Sequence, residues 1–161
     1  MDIGFWLAVV GAAVAATVSG AGSAWGVSIP GRAANGLLSE EPEKFGNTLI
    51  FVALPGSQGI YGIITAIVVL IQLGVFGGEP KSPTAWQGGA ILAICAFQGF
   101  VQLASSAFQG KVCAAGIGIV ARHPEDAMKG VVNAVMVETY AVFGLLITLL
   151  LLFLVVAPRL A

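Results

Sequence analysis

Charge is scarce in this chain. Only 9% of its 161 residues are charged, and 7 Lys and Arg nearly balance 8 Asp and Glu. A typical soluble domain carries roughly 25% charged residues, so this composition excludes an ordinary soluble protein. It also excludes the basic face that a nucleic-acid-binding protein presents. Apolar residues make up 58% of the chain and glycine occurs 22 times, which is typical of an integral membrane protein.

Cysteine is nearly absent too, because the chain has only Cys95 and Cys113. On one helix their Cα atoms would lie roughly 27 Å apart, whereas a disulfide needs about 7 Å or less, so we expect two small packing residues and no bridge. The N-terminus, Met1–Gly4, has no positive charge of the kind that opens a signal peptide. We therefore expect the first apolar segment to remain as a spanning helix.

Four apolar stretches are long enough to cross a bilayer, which takes about 20 residues. They cover residues 3–27, 47–76, 86–120 and 131–157. Proline and acidic residues at 39–43 and 122–126 mark helix starts, and a Gly/Pro cluster at 77–83 marks a turn. We predict an all-α membrane protein of one domain, residues 1–161, made of two fused helical hairpins, residues 1–78 and 84–161.

The two hairpins form an internal repeat. Gly22–Trp25 matches Ser105–Phe108, Pro42 matches Pro124 and Tyr61 matches Tyr140, at offsets of 79 to 83 residues. An even number of spans separates equivalent helices, so the halves share one orientation, unlike the inverted repeats of many transporters. On this alignment Glu138 corresponds to Gly59, and one hairpin alone carries an intramembrane carboxylate.

Basic residues predict the orientation in the membrane. The first and third connections and their flanks hold Arg32, Lys44, Lys111, Arg122 and Lys129, whereas the other side holds Lys81 and Arg159. The positive-inside rule then places both termini outside the cytoplasm.

Small residues recur along the first apolar stretch. One row is Gly4, Ala8, Ala12, Ala16, Gly20 and Ala24, and its neighbour is Gly11, Ala15, Ser19 and Ser23. Such rows allow helices to approach closely. The second and fourth stretches carry bulkier residues. This pattern fits either a ring of identical chains or a four-helix monomer.

Glu138 carries the clearest functional signal, because it is the single charged residue of the stretch 131–157. A charge at the centre of a spanning helix costs about 3 kcal/mol, so the carboxylate needs a proton, a cation or several hydrogen-bond donors. A cation site and a structural hydrogen bond to a neighbouring helix are both open from this residue alone.

Two further polar patches lie in other apolar stretches. In the second stretch, Pro55 kinks the helix and exposes backbone carbonyl oxygens. One face of the same helix carries Leu54, Ser57, Gln58 and Tyr61. In the third stretch, Gln109 shares a face with Gln98 and Gln102. Each patch alone also fits ordinary hydrogen bonds between helices, and His123 is expected to be a surface residue. No nucleotide-binding or metalloprotease motif occurs in the sequence.

These segments resemble the double-hairpin proteolipid of V-type ATPases, the c or K subunit, and most of all its bacterial sodium-translocating branch. The match covers nearly the whole chain and is strongest at LPGSQGIYG (54–62), QGK (109–111) and MVETY (136–140). The resemblance implies identical subunits in a ring that turns against a stator subunit bearing an arginine, with a central stalk on the cytoplasmic face. It also implies a bacterial plasma membrane, and ATP hydrolysis on other subunits.

The resemblance further implies a cation cage. Glu138 would bind the ion. The other ligand oxygens would come from Gln58, Gln109, Ser57 and the Leu54 carbonyl. Tyr61 and Pro55 would support the site. Ser57 replaces a threonine of sodium-specific relatives and lacks the methyl that restricts its rotamer. Na⁺ is the expected cargo and H⁺ the alternative, since a proton would need only Glu138. An independent transporter or channel with Glu138 as its relay, and a purely structural proteolipid, are the rival functions.

Overall fold

The computed structural model describes residues 2–77 and 79–160, with Arg159 described by its backbone alone. Over this part the chain forms helices joined by short connections and contains no strand. The five α-helices are α1 Ile3–Leu38, α2 Phe45–Ala53, α3 Ser57–Gln72, α4 Ala85–Arg122 and α5 Ala127–Leu150. A 3₁₀ turn, Leu54–Gly56, joins α2 to α3, and a π-helical segment, Leu151–Val156, extends α5 into a last 3₁₀ turn, Ala157–Arg159.

These helices make four membrane spans, which confirms the predicted all-α, four-span architecture. The spans are Ile3–Leu38, Pro42–Gln72, Ala85–Arg122 and Pro124–Val156. Proline begins the second and fourth spans in 3₁₀ turns, Pro42–Lys44 and Pro124–Asp126, because its fixed φ suits a first helical turn and its missing N–H is not needed there. The hairpin boundaries at 78 and 84 stay predictions, and Gly78, Met1 and Ala161 lie outside the described residues.

The first span is longer than its apolar stretch. The apolar stretch was predicted to end at Val27, and α1 continues past it to Leu38 and includes Arg32. Its 36 residues measure about 54 Å at 1.5 Å per residue, against about 30 Å of hydrocarbon. The helix therefore extends beyond the bilayer, because backbone hydrogen bonding continues after the apolar pattern stops.

The bundle is built around the parallel pair α1 and α4, with α3 packed mainly on α1 and α5 on α4. Glycines let the central pair approach closely: a Cβ on Gly26 would lie 2.6 Å from the Ser106 carbonyl oxygen. Within one chain, the predicted row of small residues at every fourth position leaves this interface at its far end, where Gly20 and Ala24 are exposed. A four-residue step turns about 40° beyond one full helical turn, so such a row drifts away from the interface.

Two apolar cores lie at the two ends of the bundle. One contains Phe5, Ile91 and Leu152, and the other contains Phe51, Ile117 and Val131. Between them is a layer of fully buried polar side chains that includes Gln58, Gln102, Gln109 and Ser106. The fold therefore encloses polar groups at mid-bundle, where each needs a partner.

The structure corrects the internal alignment of the repeat. The turns starting at Pro42 and Pro124 are 82 positions apart. Gly62 faces Ser19 of α1, and 82 positions later Gly144 faces Val101 of α4. This constant offset pairs Glu138 with Gly56, so the alignment with Gly59 was wrong by three residues. Matching the two tyrosines had misled it, because Tyr61 is equivalent to Phe143.

Candidate ion-binding site

The break in the second span prepares the site. Pro55 cannot donate a backbone hydrogen bond, and the chain forms the 3₁₀ turn Leu54–Gly56 before the helix resumes at Ser57. Two serines hold this turn: Ser106 Oγ donates to the Pro55 carbonyl at 2.7 Å, and Ser23 Oγ donates to the Gly56 carbonyl at 3.2 Å. The broken segment is thus fixed by α1 and α4 on either side.

Three side chains that follow the break converge on the Glu138 carboxylate. Ser57 Oγ and Tyr61 Oη each donate to Oε1 at 2.6 Å. Gln58 Nε2 donates to Oε2 at 3.1 Å. An ionised carboxylate only accepts hydrogen bonds, so three donors suit its charged form. The second span thereby meets the fourth at a residue 81 positions away in sequence.

Gln109 joins the third span to the same cluster. Its Oε1 accepts from Gln58 Nε2 at 2.7 Å, and its Nε2 donates to the Ala134 carbonyl of α5 at 3.1 Å. Gln58 and Gln109 are both fully buried. Their amides are therefore held by each other and by the neighbouring helix.

Oxygen atoms crowd around Ser57. Its Oγ lies 2.6 Å from Glu138 Oε1, 2.9 Å from the Leu54 carbonyl oxygen and 3.3 Å from Gln58 Oε1. One hydroxyl proton serves only one of these acceptors at a time. All five predicted ligand residues, Leu54, Ser57, Gln58, Gln109 and Glu138, thus lie in one cluster, together with the supporting Tyr61 and Pro55.

The cluster is accessible from the side of the bundle. A groove of about 500 Å³ runs between the second and fourth spans and is lined by Leu54, Ser57, Ile60 and Glu138, among others. Its remaining walls are largely apolar, and Ile60 is exposed. Glu138 is half-buried at its inner end. The carboxylate is therefore held by the protein and still open toward the surroundings of the bundle.

Sequence reasoning did not assign the serines of α1 and α4 that hold the site in place. Ser105 Oγ donates to the Val137 carbonyl at 3.3 Å, directly before Glu138. Ser106 and Ser23 anchor the broken turn, yet in the sequence they read only as small packing residues. Serines are common in tightly packed spans, so their hydrogen-bonding role becomes visible only with the neighbouring carbonyls in place.

The chemistry of the cluster suits a monovalent cation. Over residues 2–77 and 79–160, no group of three or more His, Cys, Asp and Glu is placed to hold a metal ion. The cluster offers one carboxylate with amide, hydroxyl and carbonyl oxygens, which are hard ligands for a hard ion. One negative charge neutralises one positive charge, and the alternative occupant is a proton on the carboxylate.

A repeated two-helix hairpin with one polar crevice around a single carboxylate is the architecture of a membrane proteolipid. The family of the ATP synthase C subunit matches the chain twice, at residues 10–69 and 92–151. The chain belongs to this family, and the two matched regions start and end 82 positions apart.

Two relatives extend the comparison. The chain is 44% identical to the V-type sodium ATPase subunit K of Enterococcus hirae over 148 residues, which cover 92% of this chain and 91% of that one. It is 39% identical to the A-type ATP synthase subunit K of Methanocaldococcus jannaschii over 146 residues, covering 91% and 61% of the two chains. The predicted resemblance to the V-type ATPase proteolipid is confirmed.

Proposed function

We propose that this chain is the ion-carrying rotor subunit of a V-type ATPase and that its cargo is Na⁺. The observation that carries the proposal is the pair of hydrogen bonds from Ser57 and Gln58 to Glu138 beside an open groove, with Gln109 bonded to Gln58. The name of the Enterococcus hirae relative supports sodium as the ion. ATP hydrolysis then belongs to other subunits, and this chain supplies the membrane step.

Sodium explains the polar residues better than a proton does. A proton needs Glu138 alone, whereas Gln58, Gln109, Ser57 and the Leu54 carbonyl would surround a cation with oxygen. Swinging the two amides by rotamer changes would turn their oxygens toward the ion. Each buried amide without such a task would be an avoidable cost in a spanning helix.

Transport would alternate between two states of Glu138. Loaded with Na⁺, the site is close to neutral and passes along the lipid with its groove outward. Opposite a stator arginine on another chain, the carboxylate exchanges its ion for the guanidinium charge and releases it into an aqueous path. Moving one charge across 100 mV costs about 2.3 kcal/mol, which is modest beside ATP hydrolysis.

The repeat also supports assembly into a ring of identical copies. A second groove of about 280 Å³ lies on the far side of α4 and α5, lined by Phe100, Ala104, Phe108 and Tyr140, among others. Each residue that lines this groove has an equivalent 82 positions earlier in the first hairpin. The equivalents that contact α4 within the chain include Val18, Gly22, Gly26, Pro55 and Gln58. Because α1 is the repeat equivalent of α4, α1 of the next copy would fill the second groove in the same way.

A ring built this way has one ion site per chain. At the contact between copies, the repeat brings together the equivalents of the ion-site residues. Gly56 is there the equivalent of Glu138, and Thr139 and Tyr140 are the equivalents of Ser57 and Gln58. No carboxylate or amide is available there. Half of the crevices around such a ring would carry no ion.

Cysteine cross-linking tests the contact between copies. A Cβ on Gly22 would lie 3.0 Å from Leu103 Cβ within one chain. The equivalent pair across copies is Ala104 with Ala21 of the next copy. In a variant without Cys95 and Cys113, Ala21→Cys/Ala104→Cys should oxidise to a ladder of dimers and larger species. Each single variant should stay monomeric on a denaturing gel, and a double variant that also stays monomeric would contradict the ring.

The same proposal places the chain in a bacterial plasma membrane with both termini extracytoplasmic. Arg32, Lys44, Arg122 and Lys129 lie at the bundle end where α1 and α4 finish, whereas Lys81 lies in the connection at the other end. The positive-inside rule puts the first end in the cytoplasm. Its short connections would offer the surface for a central stalk.

Carbodiimide labelling of the purified protein tests the ion. The reagent attacks the protonated form of an accessible carboxyl group, so Glu138 should be labelled faster at lower pH, and Na⁺ should protect it. Glu138→Gln is the matched control and should take no label in the span. If Na⁺ does not slow labelling at any pH, the transported ion is H⁺ and not Na⁺. If Glu138 does not react at all, the proposal of an accessible carrier site is refuted.

A further inference from the structure

A polar seam connects α4 to α5 along the interior of the bundle. From the ion-binding cluster outward, α4 contributes Gln109, Ser105, Gln102 and Gln98 at steps of three or four residues. The first three donate to α5 carbonyls, at Ala134, Val137 and Ala141 respectively. The fourth, Gln98, accepts from the Thr148 hydroxyl at 3.2 Å. The seam therefore skips one turn of α5, between Ala141 and Thr148.

Two amide atoms at this gap lack partners. Gln102 Nε2 donates to the Ala141 carbonyl at 3.0 Å, but its Oε1 has no hydrogen bond within the described residues. Gln98 Oε1 accepts from Thr148, but its Nε2 has none in the same part of the chain. Gln102 is 0% exposed and Gln98 is 1% exposed, so neither amide atom is accessible from outside the bundle. A buried polar group left without a partner costs about 1–3 kcal/mol.

The unpaired atoms are complementary. One is an acceptor and the other a donor, and residues four apart on a helix have Cβ atoms about 5–6 Å apart on the same face. Gly144 lies on the facing side of α5, between Ala141 and Thr148, and a Cβ there would lie 3.6 Å from Gln102 Nε2. The same Cβ would lie 2.7 Å from Val101 Cγ1, so the missing side chain lets α5 approach α4 closely beside Gln102.

We propose that Gln98 and Gln102 hold a buried water molecule between α4 and α5, in the skipped turn of the seam. The water accepts from Gln98 Nε2 and donates to Gln102 Oε1. Its second hydrogen is free for a backbone carbonyl of α5. Buried water typically makes about three hydrogen bonds to groups that are otherwise unpaired, which fits this arrangement.

The same geometry excludes a second sodium site. The unpaired atom of Gln98 is a donor, Nε2, which repels a cation, and no acidic side chain belongs to the seam between Gln98 and Gln102. Water can satisfy a donor and an acceptor together, whereas Na⁺ satisfies only acceptors. The site lies about 10–17 Å along α4 from Gln109, at 1.5 Å per residue, so it is separate from the ion-binding cluster.

A structure of the purified oligomer at a resolution that shows ordered water tests the proposal. We expect density within about 2.7–3.2 Å of both Gln98 Nε2 and Gln102 Oε1. Gln98→Met should remove this density while the helices stay in place. Thr148→Val is the matched control, because it removes the neighbouring hydroxyl but leaves both partners of the water.

Two outcomes would overturn the water site. One is a direct hydrogen bond between the two glutamine amides in the wild-type map, and the other is density that persists in Gln98→Met. Melting temperature offers a second measurement. If one water joins the amides, the decrease for Gln98→Met/Gln102→Met should be smaller than the two single decreases together, and simple additivity would contradict the bridge. Should the variants fail to assemble, the wild-type map decides alone.

Discussion

Replacing Ser57 by alanine is the sharpest test of the proposed cation cage. The change removes one oxygen that lies 2.6 Å from Glu138 Oε1 and 2.9 Å from the Leu54 carbonyl, with little change in backbone preference. A hydrogen bond or dipole contact to a charged group contributes about 1.5–3 kcal/mol. Because Ser57 is half-buried beside an open groove, we take the lower end, about 1.5 kcal/mol. This corresponds to roughly tenfold weaker Na⁺ binding.

The assay is the Na⁺ concentration that halves the rate of carbodiimide labelling at Glu138. Ser57→Ala should raise this concentration about tenfold. Ser57→Thr should leave it unchanged or lower it, because the added methyl restricts the rotamer that presents the oxygen. Thr139→Val is the control, since the Thr139 hydroxyl donates to the Met136 carbonyl of its own helix at 2.7 Å. Equal protection in Ser57→Ala and wild type would refute Ser57 as a ligand, as would an equal loss in Thr139→Val.

Two further predictions concern the support of the site and the packing beneath it. Tyr61→Phe removes the donor at 2.6 Å from Glu138 and should weaken Na⁺ protection several-fold, up to about tenfold. Tyr140→Phe should not, because the Tyr140 ring packs on Phe143 instead. No difference between these two variants would contradict the supporting role of Tyr61. Gly26→Ala places a Cβ 2.6 Å from a backbone oxygen of α4 and should lower the free energy of unfolding in detergent by about 1–3 kcal/mol. Gly20→Ala, with nothing within 4 Å, should be neutral or slightly stabilising, and an equal loss in both would refute close α1–α4 packing as the cause.

The sequence singled out residues that lie together in the structure, because polar groups are rare and costly in spanning helices. Glu138, Gln58 and Gln109 stand out against apolar neighbours, and the structure places them together. Pro55 marked the helix break for an equally local reason, its missing N–H. The roles of these residues as ligands stay predictions, which the labelling experiments address.

Other features could not be read from the sequence. The end of α1 at Leu38 could not be read because the helix continues beyond the bilayer into water. Hydropathy does not indicate where a helix ends there. The alignment of Glu138 with Gly56 depends on which helix faces each glycine, and identical tyrosines pointed to the wrong pairing. The role of Ser106 depends on a carbonyl 51 positions away, which comes within reach only after the helices have packed.

By itself the sequence determined the class of this protein: four spans, a repeated hairpin and one intramembrane carboxylate. These follow from apolar length, turn residues and the cost of charge in lipid, all of which act locally along the chain. The tertiary structure decided how these residues are bonded: Ser57, Gln58 and Tyr61 of the second span donate to Glu138 on the fourth, and Gln109 of the third span is bonded to Gln58. It also decided that one buried amide atom each of Gln98 and Gln102 has no hydrogen-bond partner among the described residues. Distances between helices depend on how closely their backbones approach, and that is set by the packing of α1 against α4.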